Sequence, residues 1–244
     1  MKSLPQLRQS IRHLLDERHP RDAMAAYFAL YHPDAKTHLF TQPPEADIAA
    51  GYMAVSRTGM DLFRPLVTFR FPPQDMDGSV ELIYQALLPE TAVFIETSEV
   101  DEPLIRALFE IQVEEYLQVY MLDSSRFEPV INVLVMQANA VNDLPRFIVR
   151  SEAEQGAVVA SAHLNWQSPY FAEIAVNTLP RYQRQGWGRS VVAAMVQYLL
   201  ENGRTPLYVA SATNTASINL AESVGFVDTG LRTWMLQGTL RPRL

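Results

Sequence analysis

The stretch Arg181–Ser190, RYQRQGWGRS, decides the reading of this chain. It follows a run of strand-forming residues, Phe171–Thr178 (FAEIAVNT), and precedes a run of helical period. In that run Val191, Ala194, Met195, Tyr198 and Leu199 fall on one face. Gly186 and Gly188 stand at the junction. A helix start leaves about four backbone N–H groups without partners, and with the helix dipole they form an anion site. Glycine lets a ligand approach the main chain closely. Arg181, Arg184 and Arg189 add positive charge, and no Asp or Glu occurs from Ile174 through Leu200. In a chain of formal net charge −7, that local absence points to a polyanion such as a pyrophosphate. The competing reading is a tight turn with solvated arginines. The spacing matches neither the phosphate loop ending in Gly-Lys-Ser/Thr nor the dinucleotide Gly-x-Gly-x-x-Gly.

Working outward, RFIVRS (Arg146–Ser151) and AVVASAHLNW (Ala157–Trp166) read as strands joined by the turn-like EAEQG. The helix after Gly188 runs to about Asn202 and stops at Gly203, which suits a left-handed residue. PLYVASA (Pro206–Ala212) is a strand and Ser217–Val224 a short helix ended at Gly225; FVDTG and RTWMLQG read as a closing hairpin. Before this half, Leu4, Leu7, Ile11, Leu14 and Leu15 recur at helical spacing, and Ala23–Tyr31 follows Pro20 as a second short helix. Strands are expected at His38–Thr41, Tyr52–Thr58, Leu66–Phe71, Ala92–Thr97 and Gln112–Leu122, and helices at Val80–Leu88 and Leu104–Phe109. The fold class is α/β or α+β.

The 244 residues suffice for one large or two small domains, and 48% hydrophobic against 19% charged residues supports a packed core. The acidic balance argues against a general nucleic-acid binder. There is no cysteine, which removes thiolate chemistry and disulfides. The histidines show no metal-ligand spacing, so no metal is expected. No apolar run approaches the ~20 residues of a membrane span, and the charged N-terminus is unlike a signal peptide. The simplest expectation is a cytoplasmic protein that binds neither nucleic acid nor membrane.

The pattern Gln183-Arg184-Gln185-Gly186-Trp187-Gly188 after a strand resembles the acyl-CoA signature, Gln-x-x-Gly-x-Gly, of the GNAT N-acetyltransferase superfamily. A second stretch agrees with it. Asn214 to Phe226 (NTASINLAESVGF) is similar to the family's later motif of an Asn, a small helix and a terminal Gly-Phe. The resemblance covers roughly Arg146 to Gly238. It implies a GNAT fold, with a mixed, mostly antiparallel sheet whose central strands FAEIAVNT and PLYVASA splay apart. Residues 141–244 would form the domain that binds acetyl-CoA or another acyl-CoA. Residues 1–140 would form an N-terminal α/β domain, either a degenerate GNAT-like half, as in glycine N-acyltransferase-like members, or a different fold.

The resemblance further implies site roles. Ile174, Ala175 and Val176 would pair with the pantetheine arm as an added strand. Backbone N–H groups of Arg184, Gly186, Trp187, Gly188 and Arg189, with Arg181, Gln185 and the Ser190 hydroxyl, would hold the pyrophosphate. Asn214 and Ser217 would stand at the thioester end. Glu173 is the candidate base for the attacking amine, with an exposed strand carboxylate as the plainer reading. The tyrosine that often protonates the leaving thiolate is replaced by Ala221; Ser217, Ser223 and Tyr208 are substitutes to weigh. His163 is either a structural histidine or an acceptor contact, and Glu110, Glu114 and Glu115 either a solvated face or an attraction for a cationic amine. The implied activity is acyl transfer from CoA to a primary amine, on a small molecule, peptide or protein. The alternative is a non-catalytic acyl-CoA sensor. Self-association through the C-terminal strands or the first domain is a further expectation.

Overall fold

A computed structural model of the protein describes residues 2–59, 61–140 and 144–243. The chain divides into two compact units, Met1–Tyr116 with Arg232–Leu244, and Leu117–Leu231. The division expected between residues 140 and 141 thus falls elsewhere: residue 140 belongs to the second unit, and 141–143 lie outside the described residues. The physical reason is that the last strand of the chain returns to pair inside the first unit, so no single cut separates the two.

In the first unit, α1 (Leu4–Ile11) starts at Ser3, whose backbone N–H donates to the Gln6 side chain. α2 (Ala23–Ala26) continues as a wider turn through Tyr27–Tyr31. Then follow β1 (Thr37–Gln42), β2 (Gly51–Ser56), β3 (Leu66–Arg70), α3 (Met76–Ala86), β4 (Ala92–Thr97), α4 (Glu102–Leu108) and β5 (Phe109–Leu122), the last ending in the second unit. Strand alternation sorts side chains between two faces. Tyr52 and Ala54 join Ile11, Ala26 and Ala29 beneath α1 and α2, while Met53 joins Leu82, Ile83 and Ile95 beneath α3.

The second unit adds β6 (Met136–Asn139), which has no counterpart in the expected elements, and then β7 (Pro145–Ser151), β8 (Ala157–Gln167), β9 (Phe171–Thr178), α5 (Trp187–Glu201), β10 (Thr205–Ser211), α6 (Thr215–Val224) and β11 (Phe226–Leu240). Its strand order is β5-β10-β9-β8-β7-β6, antiparallel except for the parallel pair β9/β10. The expected closing hairpin is a single strand, β11. Gly230, read as a turn, instead takes φ +77 within the strand, with its N–H donated to Asp228. The C-terminal part of β11 then pairs with β4 in the first unit, whose order is β1-β2-β3-β4-β11.

α5 buries more than the expected stripe: Val192, Ala193 and Val196 join Val191, Met195 and Leu199, whereas Tyr198 is half-buried. Each large apolar side chain so buried contributes roughly 1.5–3 kcal/mol. Both units run through the same order. Three antiparallel strands lead through a helix to a parallel fourth, then a helix and a long strand: β1-β2-β3-α3-β4-α4-β5 and β7-β8-β9-α5-β10-α6-β11. Among the described residues no helix is long and apolar enough to cross a membrane.

Candidate functional site

β9 and β10 pair from Phe171↔Thr205 to Ile174↔Tyr208 and no further, although β9 runs on to Thr178 and β10 to Ser211. Past that point each keeps its outer partner: β9 stays on β8 as far as Ala160↔Thr178, and β10 stays on β5 as far as Ser211↔Leu117. The strands therefore part without fraying, as the resemblance implied. A cleft of about 630 Å³ lies here, lined by Val176, Thr178, Gly188, Tyr208, Asn214 and Ser217 among others.

At one end of the cleft, Gly186 is the residue before α5 and takes φ +81, while Arg184 takes φ +58. The flanking amides are committed, Gln183 N–H to the Pro180 carbonyl at 3.3 Å and Ser190 N–H to the Gly186 carbonyl at 2.9 Å. The amides of residues 184–189 donate to no group among the described residues. That is the donor row an anion needs. Side chains brace the loop: the Gln183 amide donates to the Thr178 carbonyl at 3.2 Å and the Gln185 amide to the Arg181 carbonyl at 2.9 Å. Trp187 stacks on Tyr182 at 4.7 Å and so packs the loop from behind. A Cβ on Gly188 would come 3.0 Å from Thr178 Oγ1; one on Gly186 would come 2.5 Å from Asn132 Nδ2.

Several expected contacts are placed otherwise. Ser190 is fully buried, and its hydroxyl lies 2.7 Å from Asn132 Oδ1 and 3.0 Å from the Gly186 carbonyl. It does not line the cleft but turns toward Asn132. Arg181 is held by Glu154 at 2.7 Å, which leaves Arg184 and Arg189 as the cations lining the cleft. The Arg189 Nε is buried and has no hydrogen-bond partner among the described residues. Ile174 is buried at the last paired position, so the free edge starts at Ala175. Asn132 was not singled out from the sequence; a polar residue inside the apolar run VINVLV was the available signal.

At the other end, Asn214 caps α6, accepting from the Ser217 N–H at 3.1 Å. The Ser217 hydroxyl lies 2.8 Å from that of Tyr208. Burial pushes the Tyr208 phenol up, and the Ser217 hydrogen bond acts against that shift. Ser223 donates to the Leu220 carbonyl at 2.7 Å, and Ala221 is fully buried.

Glu173 is not among the residues lining this cleft. Its two oxygens accept from Asn165 Nδ2 at 2.6 Å and Trp166 Nε1 at 2.8 Å. These residues flank the point where the β8 register shifts between Leu164 and Trp166, so the carboxylate holds an irregular strand. His163 stands between Arg146 on β7 and Ala175 on β9. Burial first, then the Arg146 charge, lowers its pKa and keeps it neutral near pH 7. Glu114 accepts from Arg106 at 2.7 Å and from the Trp234 indole at 3.2 Å, so it is already partnered.

Residues 154–235 match the family model described as FR47-like protein. A Drosophila protein of known structure is similar over 96% of this chain and 95% of its own, at 14% identity and a TM-score of 0.68. A tandem GNAT protein from the clavulanic acid biosynthesis pathway aligns over 97% and 94%, at 10% identity and a TM-score of 0.62. A GCN5-related N-acetyltransferase from Kribbella flavida aligns over 89% and 95%, at 15% identity and a TM-score of 0.59. No curated protein sequence matches the chain. The fold is that of the GNAT acetyltransferase superfamily.

Proposed function

We propose that the protein transfers an acetyl or other short acyl group from CoA to a primary amine. One observation carries the reading: six successive main-chain amides, of residues 184–189, donate to no group among the described residues and lie beside a cleft between parted strands. The amides, with Arg184 and Arg189, would hold the pyrophosphate. The edge of Ala175 and Val176 would take the pantetheine arm, and the thioester would lie where the strands part. The neutral amine attacks the thioester carbon directly and loses its proton to water. Glu173 is assigned to the strand rather than to the amine because it does not line the cleft and each of its oxygens accepts a hydrogen bond from β8.

Isothermal calorimetry with acetyl-CoA tests this. The wild type should bind, and Gly186→Glu should not, since it sets a carboxylate among the donors. A wild-type chain that ignores acetyl-CoA defeats the proposal. A second reading, a non-catalytic acyl-CoA sensor, is favoured by Ala221 and by the position of Glu173 outside the cleft lining. CoA release against a panel of amines separates the two. We also propose that the first unit is a degenerate copy of the same fold. The repeated element order supports this, as does the start of α3. There Pro72 and Pro73 replace the glycine loop, and the Asp75 carboxylate accepts the Gly78 N–H at 2.8 Å where a ligand anion would sit.

A further inference from the structure

We propose that Tyr208, backed by Ser217, supplies the hydrogen bond and proton that the leaving thiolate takes, an inference that rests on the acyl-CoA reading of the cleft. Tyr208 stands opposite Ile174, at the last paired position before β9 and β10 separate. It is only 2% exposed, yet it lines the cleft. Its ring packs on Phe226 at 5.6 Å, and its hydroxyl meets Ser217 Oγ at 2.8 Å. Ser217 is itself fixed, because Asn214 caps its N–H. The other hydroxyls of the cleft are placed differently. Thr178 lies at the glycine end, Ser223 donates into its own helix, and Thr215 is exposed at the outer start of α6. With alanine at 221, a hydroxyl comes from the strand beneath the helix.

The amine nitrogen bonds to the carbonyl carbon, the carbon–sulfur bond breaks, and sulfur keeps the electron pair. Tyr208 O–H donates to that sulfur, Ser217 O–H donates to the tyrosine oxygen, and Ser217 draws its replacement proton from water at the cleft mouth. The water that took the amine proton closes the balance, giving an amide and a free thiol. A thiol has a pKa near ~8.5, below that of the raised phenol. The first event is therefore a charge-assisted hydrogen bond, and the net proton follows through Ser217.

The test needs no acceptor. The chain has no cysteine, so alkylation of a bound CoA thiol by iodoacetamide, followed on the CoA adduct across pH, reports that thiol alone. Calorimetry should show CoA binding to wild type, Tyr208→Phe and Ser217→Ala within about twofold of one another. The bound thiol should titrate roughly 0.5–1 pH unit lower in wild type than in Tyr208→Phe, because a donor stabilises the thiolate. Ser217→Ala should fall between them, and it carries the comparison if the phenylalanine variant does not fold. Equal titration midpoints in CoA-bound wild type and variants overturn the assignment while leaving the acyl-CoA reading intact. Absence of CoA binding to wild type removes the acyl-CoA reading itself, and this inference with it.

Discussion

Ser190 Oγ lies 2.7 Å from Asn132 Oδ1 and accepts from the Asn132 N–H at 3.2 Å, tying the first turn of α5 to a segment that precedes β6. The glycine loop is thus braced from behind by a residue far away in sequence. Asn132→Ala and Ser190→Ala should each cost about 0.5–1.5 kcal/mol, the worth of a part-buried hydrogen bond. The double variant should cost little more than one single, because both remove the same contact. Urea unfolding of the four proteins checks this; fully additive losses would show that the two residues act separately.

Gly186 and Gly188 should fail differently when changed to alanine. At Gly186 the backbone sits at φ +81 and the new Cβ meets Asn132 Nδ2 at 2.5 Å, so both strain and overlap oppose it. Gly186→Ala should lower Tm by several degrees and abolish acetyl-CoA binding. Gly188 is already helical, and Thr178 Oγ1 at 3.0 Å belongs to a side chain that can turn. Gly188→Ala should keep its Tm, since alanine favours helix by about 1 kcal/mol, yet bind acetyl-CoA at least about tenfold more weakly because the methyl enters the anion's space. Thermal melts beside calorimetry decide it, and tight binding by Gly188→Ala would remove the close approach from the account.

The loop arginines are not equivalent. Arg181 already has Glu154 as a partner, whereas Arg189 has a buried Nε with none among the described residues. Arg189→Ala should raise the acetyl-CoA Kd by roughly tenfold or more, while Arg181→Ala should change it by no more than about threefold. Both effects should shrink as salt rises. A larger loss at Arg181 would mean that Glu154 releases it to the ligand.

Glu173→Gln is expected to report on folding more than on chemistry. A glutamine keeps one acceptor for the Trp166 indole, and the exposed Asn165 amide turns to water, so the cost should be about 0.5–1.5 kcal/mol. The shape of the pH–rate profile between about pH 6 and 9 should not change, because no titrating base is removed. A profile that loses its acid limb in the variant, with unfolding unaffected, would restore Glu173 as the base.

The second half was legible because its signals are local. The Gln-x-x-Gly-x-Gly turn, the Asn214 cap and the Gly203 and Gly225 stops fix elements from neighbours in sequence, and each is present. What escaped depends on distant partners. Ser190 reads as a ligand contact until Asn132 arrives from behind, and Glu173 reads as a free carboxylate until the β8 irregularity brings Trp166 to it. The β11 error was one of context: an Asp-x-Gly pattern suits a turn, but pairing with β4 as far as Thr239 rewards an extended strand instead.

His32, in the first unit, should make the protein acid-sensitive. Its ring is buried against Phe28 and Tyr27, with Nδ1 2.7 Å from Thr37 Oγ1. Burial first, then the charges of Lys36 and Arg8, bring its pKa from 6.5 down to about 4. An unfolded histidine takes its proton near pH ~6.5, while the folded one refuses it until about pH 4, so the unfolded state binds more protons throughout that window. The stability involved is complete above about pH 6.5 and is lost as the pH falls toward 4, to a total on the order of 2–3 kcal/mol. Urea unfolding at pH 7 and pH 4.5 should show this loss in wild type, alongside losses from other groups. His32→Gln, which keeps a partner for Thr37 but cannot charge, should lose roughly 2 kcal/mol less over the same interval. An identical pH dependence in the two proteins would mean that His32 is protonated in the folded state or that its surroundings open before it titrates.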